Sequence, residues 1–232
     1  MTLNPQLKKN YQQVLDRIEK AALAADRDAD EIQLVAVTKY VDAEIVRALY
    51  ELGCRHFGES RPQVLWQKSQ ELSDLPIHWH MIGHLQTNKA RRTLPHIHLL
   101  HSGDSVKMLE VLNEEARRVD ATVDVLCEVN ISGDPAKHGF SPDELSQALQ
   151  EVSSFEGIRI KGLMAMASRM GGADKAAGDF EKMFRLREQF KDSVPSHVSL
   201  RELSMGMSGD FEQAIAWGAT LVRVGSILFE GI

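Results

Sequence analysis

Short apolar runs alternate along the chain with segments in which apolar residues recur at helical spacing. Eight runs have the character of β-strands, at 33–38, 56–59, 77–82, 97–101, 123–130, 158–165, 198–203 and 221–229. Two stretches within them, LVAV and DVLCEV, are nearly continuous apolar sequence, which is typical of parallel strands covered on both faces. The pattern therefore predicts a buried parallel sheet.

The segments between these strands predict helices. Leu7, Leu15, Ile18 and Ala22 recur at near-helical spacing, so the chain opens with an amphipathic helix. Further helices are predicted at 43–52, 105–119, 142–152, 173–190 and 211–217, with shorter ones at 64–72 and 88–93. Strands that alternate with helices in this way form βαβ units.

Eight strands favour closure into a (β/α)8 barrel of the TIM type over an open sheet. We expect a single domain over residues 1–232, with an N-terminal helix within 1–27 and a barrel at 33–229. The N-terminal helix could fill the eighth outer position. An open dinucleotide-binding sheet would carry Gly-x-Gly-x-x-Gly after its first strand. Here that strand ends in Thr38-Lys39-Tyr40, which disfavours the open sheet.

The composition narrows the classes of function. The 232 residues carry a formal net charge of −6, whereas a nucleic-acid-binding domain needs a basic surface. Cys54 and Cys127 form neither a metal-type nor a redox-type pair, and we expect both to be buried thiols of a reducing compartment. The sequence shows neither a signal peptide nor a run approaching the ~18 apolar residues of a membrane span. We expect a cytoplasmic protein that binds neither nucleic acid nor membrane.

Functional residues of a parallel barrel gather at the carboxyl ends of its strands. Lys39 directly follows the run LVAVT. It could simply end a strand with its amine in water. Alternatively, it could be a partly desolvated amine at the barrel mouth that attacks an aldehyde. Spacing alone leaves both interpretations open.

Two stretches at the ends of the seventh and eighth strands could bind an anion. Residues 204–210 place small residues and two hydroxyls before a helix, where unpaired N–H groups favour negative charge. Asp210 and Gln213 would equally fit a capping box. In residues 223–226, Gly225 and Ser226 could add donors or make a tight strand exit. Barrel phosphate sites often use these two loops, and Lys39 becomes their neighbour once the barrel closes.

Several longer segments resemble one known family. They are LVAVTK, HFGES, WHMIGHLQTNK, EVNISGDPAKHGF, IKGLMAM and LSMGMSGDFEQAIAWGATLVRVGSILFEG. From about Gln33 to Phe229 the chain is similar to the YggS/PROSC family of pyridoxal phosphate (PLP) homeostasis proteins. The resemblance implies a barrel like the N-terminal domain of alanine racemase, without that enzyme's second domain.

The resemblance also implies a cofactor site. Lys39 would hold PLP as a Schiff base, and Ser208, Gly225 and Ser226 would belong to the phosphate site. We expect the full set of cofactor-binding residues to be Lys39, Ser204, Met207, Ser208, Arg223, Gly225 and Ser226. One position departs from the family, because Ser60 stands where asparagine is usual. Serine is shorter than asparagine and would need a water to reach the cofactor.

Nine histidines raise the question of a metal site. Two groups lie near the third and fourth strands: His78, His80 and His84, and His96, His98 and His101. Alternation along a strand would place His78 and His80 on one face of the third strand, and His96 and His98 on one face of the fourth. No carboxylate or cysteine spacing accompanies them, so we predict no metal site, and we interpret His80 as a core histidine. Lys137, after the fifth strand, is either a solvated loop cation or part of a lid.

A cofactor enzyme and a cofactor carrier would share these features. An amino-acid racemase needs a base on each face of its substrate, and the chain has only Tyr11, Tyr40 and Tyr50 as tyrosines. We expect Tyr40 to leave the strand in a different direction from Lys39. Arg223 beside the cofactor's ring nitrogen would disfavour protonation there and weaken the ring as an electron sink. We therefore favour a monomeric, non-enzymatic carrier whose partners are PLP and apo forms of PLP enzymes, with a racemase as the alternative.

Overall fold

Eight parallel strands close into a barrel in the order in which they occur along the chain. The computed structural model describes residues 4–168, 172–192, 194 and 198–232. β8 pairs with β1, which closes the barrel and confirms the predicted fold class. The strands are β1 Gln33–Val37, β2 His56–Glu59, β3 His78–Met81, β4 Leu99–Gly103, β5 Val123–Glu128, β6 Ile158–Met164, β7 Glu202–Met207 and β8 Leu221–Val224.

Helices precede β1 and connect the successive strands. The predicted helix at 88–93 is reduced to one α-helical turn with 3-10 turns on both sides. Within the described residues, no helix combines the length and the apolar character needed to cross a bilayer. The α-helices are α1 Pro5–Ala24, α2 Ala43–Glu51, α3 Pro62–Glu71, α4 Ala90–Thr93, α5 Val106–Arg117, α6 Pro142–Glu151, α7 Gly172–Phe190 and α8 Phe211–Ala216.

The N-terminal helix α1 occupies the eighth outer position. The Asn4 side chain accepts hydrogen bonds from the N–H groups of Gln6 and Leu7, and Pro5 supplies a helical φ in the first turn. The buried stripe of α1 includes Leu7 and Val14, and the helix contacts both α8 and α2. Because α8 precedes β8 and α2 follows β1, α1 covers the seam where the barrel closes.

Side chains alternate between the two faces of the barrel wall. Outward-facing residues such as Leu34 and Val222 belong to the large core that includes helix residues. The inward face contributes a separate apolar cluster with one residue from each of five strands. Burial on both faces explains why β1 and β5 are nearly continuous apolar runs. The members of the inner cluster are Val35, Leu99, Leu126, Met164 and Leu221.

The seventh strand lies four residues later than predicted. The sequence placed it at 198–203, whereas β7 runs over Glu202–Met207. The segment that looked like a loop is therefore barrel wall, with Met205 fully buried in the outer core. Gly206 has φ +88°, and a Cβ there would lie 2.6 Å from the Ala214 Cβ. A glycine at this point lets α8 pack closely against the strand.

The eighth strand is shorter than predicted. It ends at Val224 rather than at residue 229. Gly225 leaves the strand conformation with φ −130° and ψ −76°, and Ser226–Leu228 form a 3-10 turn. Gly225 and Ser226 consequently lie at the mouth of the barrel instead of within its wall.

A buried ion pair fixes the end of β1. Lys68 Nζ lies 2.6 Å from Glu59 Oε1 and donates to the Thr38 carbonyl oxygen at 2.7 Å. The Thr38 hydroxyl donates to the same Glu59 oxygen at 2.7 Å. Both charged side chains are buried, where a charge is tolerated only with a partner. The pair therefore holds in place the residue that immediately precedes Lys39.

Candidate functional site

A cavity of about 720 Å³ opens at the carboxyl ends of the strands. Its volume is in the range of small-molecule sites. The residues predicted for the cofactor site converge on it. Ser204 does not line the cavity but bonds to Arg223, which does. The six predicted residues that line it are Lys39, Met207, Ser208, Arg223, Gly225 and Ser226.

Lys39 lines the cavity and follows the inward-facing alternation of Val35 and Val37. Its side chain is exposed, so the partial desolvation considered from the sequence is absent. Lys39 Nζ lies 4.9 Å from the centre of the Tyr40 ring, and Tyr40, 87% exposed, lines the same cavity. The Tyr40 ring thus borders the cavity beside the Lys39 amine, and the prediction that the two side chains leave the strand in different directions stays a prediction. The amine and the phenol approach the cavity side by side.

A hydrogen bond ties together the loops after β7 and β8. The Gly225 N–H donates to Ser208 Oγ at 3.1 Å, which leaves the Ser208 hydroxyl hydrogen available to an acceptor in the cavity. A Cβ on Gly225 would lie 3.2 Å from the Val37 carbonyl oxygen, so β1 passes close to this glycine. Ser226 is exposed and begins the 3-10 turn. These donors face one part of the cavity.

Asp210 has a different role from the one predicted. Its carboxylate accepts a hydrogen bond from the Met207 N–H at 2.6 Å, and its side chain makes no capping bond to α8. The predicted capping box of Asp210 and Gln213 is therefore wrong. The carboxylate instead closes the turn that carries Ser208.

Arg223 reaches the cavity from inside the barrel. It is 5% exposed, donates through Nη1 to Ser204 Oγ, and donates through Nη2 to the Ala165 carbonyl oxygen at 3.0 Å. Burial lowers the pKa of its guanidinium to about 10, against the opposing charges of Glu128 and Asp210. The side chain is thus still a cation at neutral pH, held by neutral acceptors.

A chain of hydrogen bonds continues from Arg223 through the barrel interior. His101 Nδ1 lies 2.8 Å from Ser204 Oγ, and His101 Nε2 lies 2.8 Å from His80 Nδ1. His80 Nε2 in turn lies 2.9 Å from His56 Nδ1. His80 and His101 are 1% and 0% exposed. The interpretation of His80 as a core histidine is confirmed, since both its ring nitrogens are bonded.

Arg223 donates at one end of this series of hydrogen bonds, and this fixes which atom donates in each of the other bonds. Ser204 Oγ accepts from Arg223, and among the described residues its remaining partner is His101 Nδ1. The hydroxyl must donate to that nitrogen, since a buried hydroxyl without an acceptor is costly. Burial lowers the pKa of His101 and of His80 well below the usual value, and that of His56 to about 4. We therefore assign all three imidazoles as neutral with hydrogen on Nε2.

The chain ends at a second cavity, of about 610 Å³, beneath α1. His56 and His78 line it, with their ring centroids 4.7 Å apart. His96 lies elsewhere, in the 3-10 turn before β4, so the prediction that His96 and His98 share a strand face is wrong. The polar chain thus spans the barrel from the mouth cavity to the amino ends of the strands.

Glu128 is a cavity residue that the sequence interpretation missed. It ends β5, is 5% exposed and lines the mouth cavity. Burial, and secondarily the charge of Asp104, raise the pKa of its carboxyl to about 7. A glutamate two positions after the inward-facing Leu126, and therefore on the same face of an apolar strand, was the available signal. The cavity therefore holds an acid that titrates near neutrality.

The Glu128 pKa predicts a pH-dependent stability of the cofactor-free protein. The folded pKa of about 7 lies above the ordinary 4.5, so the stabilising protonation is complete below pH 4.5 and is lost as pH rises through 7. We expect the free energy of unfolding to fall by about 3 kcal/mol over that range through this group. Urea unfolding of Glu128→Gln should lack this component. The exposed α5 variant Glu110→Gln should retain it; equal slopes in both variants would contradict the assignment.

The loop after β5 is anchored over the neighbouring strand end. Lys137 Nζ donates to the carbonyl oxygens of Met166 and Ala167, each at 2.9 Å. Lys137 is therefore more than a solvated loop cation. Ser60, the position that departs from the family pattern, also lines the mouth cavity.

The sequence relatives of the chain are consistent with this cavity. A family profile described as "Alanine racemase, N-terminal domain" matches residues 6–231. A pyridoxal phosphate homeostasis protein of Pseudomonas aeruginosa is 39% identical over 220 residues, 95% of this chain and 93% of the relative. One from Aquifex aeolicus is 35% identical over 216 residues, 93% and 94% of the two chains. The chain belongs to the pyridoxal phosphate homeostasis protein family.

Solved structures of this family share the barrel. PipY from Synechococcus elongatus, solved with PLP bound, has 34% sequence identity and a TM-score of 0.81, with 92% of this chain and 99% of that chain covered. An alanine racemase from Clostridium difficile is 16% identical with a TM-score of 0.72. The chain covers only 56% of that racemase. The likeness to the racemase shows the barrel fold alone.

Proposed function

We propose that the chain binds PLP in the mouth cavity, holds it as a Schiff base on Lys39 and acts in PLP homeostasis. The observation that carries the proposal is one cavity of about 720 Å³ that brings together a lysine amine, an arginine and a pair of loops rich in hydrogen-bond donors. PLP presents an aldehyde, a ring nitrogen and a phosphate, and each matches one of these groups. The PLP-bound PipY structure supports the same cofactor in a relative.

The loops after β7 and β8 would hold the phosphate. The Ser208 hydroxyl is oriented by the bond that it accepts from the Gly225 N–H, and Ser226 is exposed at the same mouth. Oriented donors lower the cost of binding an anion because they need no rearrangement when it arrives. Met207 supports this turn from the strand end, because its N–H donates to the Asp210 carboxylate.

Arg223 would face the ring end of the cofactor. It lies inside the barrel beneath the mouth, with Ser204 and the Ala165 carbonyl oxygen fixing its plane. The neutral histidine chain keeps Ser204 as an acceptor toward Arg223, so the guanidinium cannot rotate freely. A cation at this position disfavours a proton on the pyridine nitrogen. The cofactor would thereby be held with its electron-withdrawing capacity reduced.

A carrier role fits these groups better than a racemase role. Racemisation requires bases on opposite faces of the substrate, whereas Lys39 and Tyr40 lie side by side. The names of the relatives are those of homeostasis proteins. The carrier is proposed to be a monomer, with apo-enzymes that require PLP as its acceptors. The two buried free thiols suit a reducing, cytoplasmic location.

The carrier role predicts an absence of enzyme-like turnover. We expect PLP-loaded protein to racemise or transaminate alanine far below the ~10 per second typical of enzymes. Chiral chromatography and keto-acid detection would measure both reactions, with an authentic alanine racemase as the positive control. Turnover near the enzyme rate would favour the racemase alternative.

A further inference from the structure

Three side chains with metal-binding groups converge at the rim of the mouth cavity. His84 follows β3, Asp104 follows β4 and His138 lies in the loop after β5. One ligand atom from each, two imidazole nitrogens and one carboxylate oxygen, all lie within 4.8 Å of one another. We propose that His84, Asp104 and His138 bind a divalent first-row transition metal ion.

The distances suit a shared ion. His84 Nδ1 lies 2.8 Å from Asp104 Oδ2, and two ligand atoms that each lie about 2.0–2.2 Å from one ion are themselves roughly 3 Å apart. The rings of His84 and His138 stack with centroids 4.4 Å apart and an angle of 16°. An imidazole nitrogen binds an ion in the plane of its own ring, so the exposed His138 ring has to turn out of this stack for both histidines to reach one ion.

The supporting backbone is already in place. His138 lies between Lys137, whose amine bonds to two carbonyl oxygens beyond β6, and Phe140, whose N–H donates to the Glu128 carbonyl oxygen at 2.8 Å. The Asp104 side chain is 8% exposed. The Asp104 carboxylate and the backbone that carries His138 are therefore held before an ion arrives, which lowers the ordering cost of binding.

The ligand chemistry selects the class of ion. Two imidazoles with one carboxylate suit zinc, iron and related ions, whereas Mg²⁺ and Ca²⁺ prefer oxygen ligands throughout. Three protein ligands also leave coordination positions open. Since His84 and His138 line the cofactor cavity, the open positions face the space in which a small molecule would bind.

A second group of histidines could also bind a metal ion. At the amino ends of the strands, His78 stands with its ring centroid 4.7 Å from that of His56 and 4.6 Å from that of His98. The group consists of imidazoles alone, and two of its members, His56 and His78, line the cavity beneath α1. A test must distinguish the two groups, because surface histidines also bind zinc.

Calorimetric titration of cofactor-free, chelator-treated protein with Zn²⁺ would test the proposal. We expect one ion per chain, with affinity lowered at least about tenfold in His84→Ala, in His138→Ala and in Asp104→Asn, since even groups behind the ligands change affinity by that amount. The double variant His78→Ala/His98→Ala should bind as the unaltered protein does. Thermal unfolding without metal would confirm that each variant folds.

Two results would overturn the proposal. One is the absence of saturable Zn²⁺ binding by the unaltered protein. The other is loss of binding in the His78/His98 double variant together with retention in the variants of the three proposed ligands. Neither result depends on PLP, so the metal site and the proposed cofactor function can fail separately.

Discussion

Replacing Lys39 with alanine should abolish the covalent attachment of PLP while leaving the protein folded. The Lys39 side chain is exposed, so its truncation costs little stability. The position of the strand end does not depend on it, because the Lys68–Glu59 pair holds Thr38. Borohydride reduction followed by peptide mass spectrometry should find a pyridoxyl group on Lys39 of the unaltered protein and none in the variant.

The control for this result is another exposed lysine. Lys107→Ala on α5 removes an amine that does not line the cavity, and this variant should keep both the pyridoxyl peptide and the visible absorption band of the Schiff base. Labelling of a different lysine while Lys39 stays unmodified would refute the assignment. Weak, non-covalent PLP binding by Lys39→Ala is expected, because the phosphate donors and Arg223 are unchanged.

The barrel was predictable because its cause is local. Apolar runs of strand length separated by amphipathic segments can bury their surface only as βαβ units, and β1 and β2 were predicted to within a residue at each end. The seventh strand was misplaced because Ser204 and Gly206 look like loop residues. Their place in the barrel wall depends on Arg223, which bonds the serine, and on α8, which packs against the glycine.

The polar interior was beyond sequence reasoning for a different reason. Ser204 and His101 are 103 positions apart and meet only because β4 and β7 face each other across the closed barrel. The same holds for Asp104 and His138, which no spacing rule relates to His84. Glu128 could have been predicted as a site residue, because a carboxylate at the end of an apolar strand indicates a functional role. Closure of the barrel decides which of these residues become neighbours.

The second large effect is expected at the phosphate end of the site. The phosphate of PLP is close to doubly charged at neutral pH, while the chain has a formal net charge of −6. Long-range attraction therefore cannot supply the affinity, and local donors must. Hydrogen bonds to a charged group contribute roughly 1.5–3 kcal/mol each. Several donors should separate PLP from pyridoxal by at least about 4 kcal/mol, or on the order of a thousandfold in affinity.

Substitutions in the two loops should reduce this preference unequally. Gly225→Val should have the largest effect, because its Cβ would already lie 3.2 Å from the Val37 carbonyl oxygen and its methyl groups would crowd the phosphate. Ser208→Ala should follow, since it removes a hydroxyl and leaves the Gly225 N–H without its acceptor. Ser226→Ala should matter least, because its backbone donor remains. Equilibrium dialysis of each folded apo-variant against PLP and pyridoxal would measure the ratios. Equal affinity of the unaltered protein for the two ligands would rule out a phosphate site in these loops.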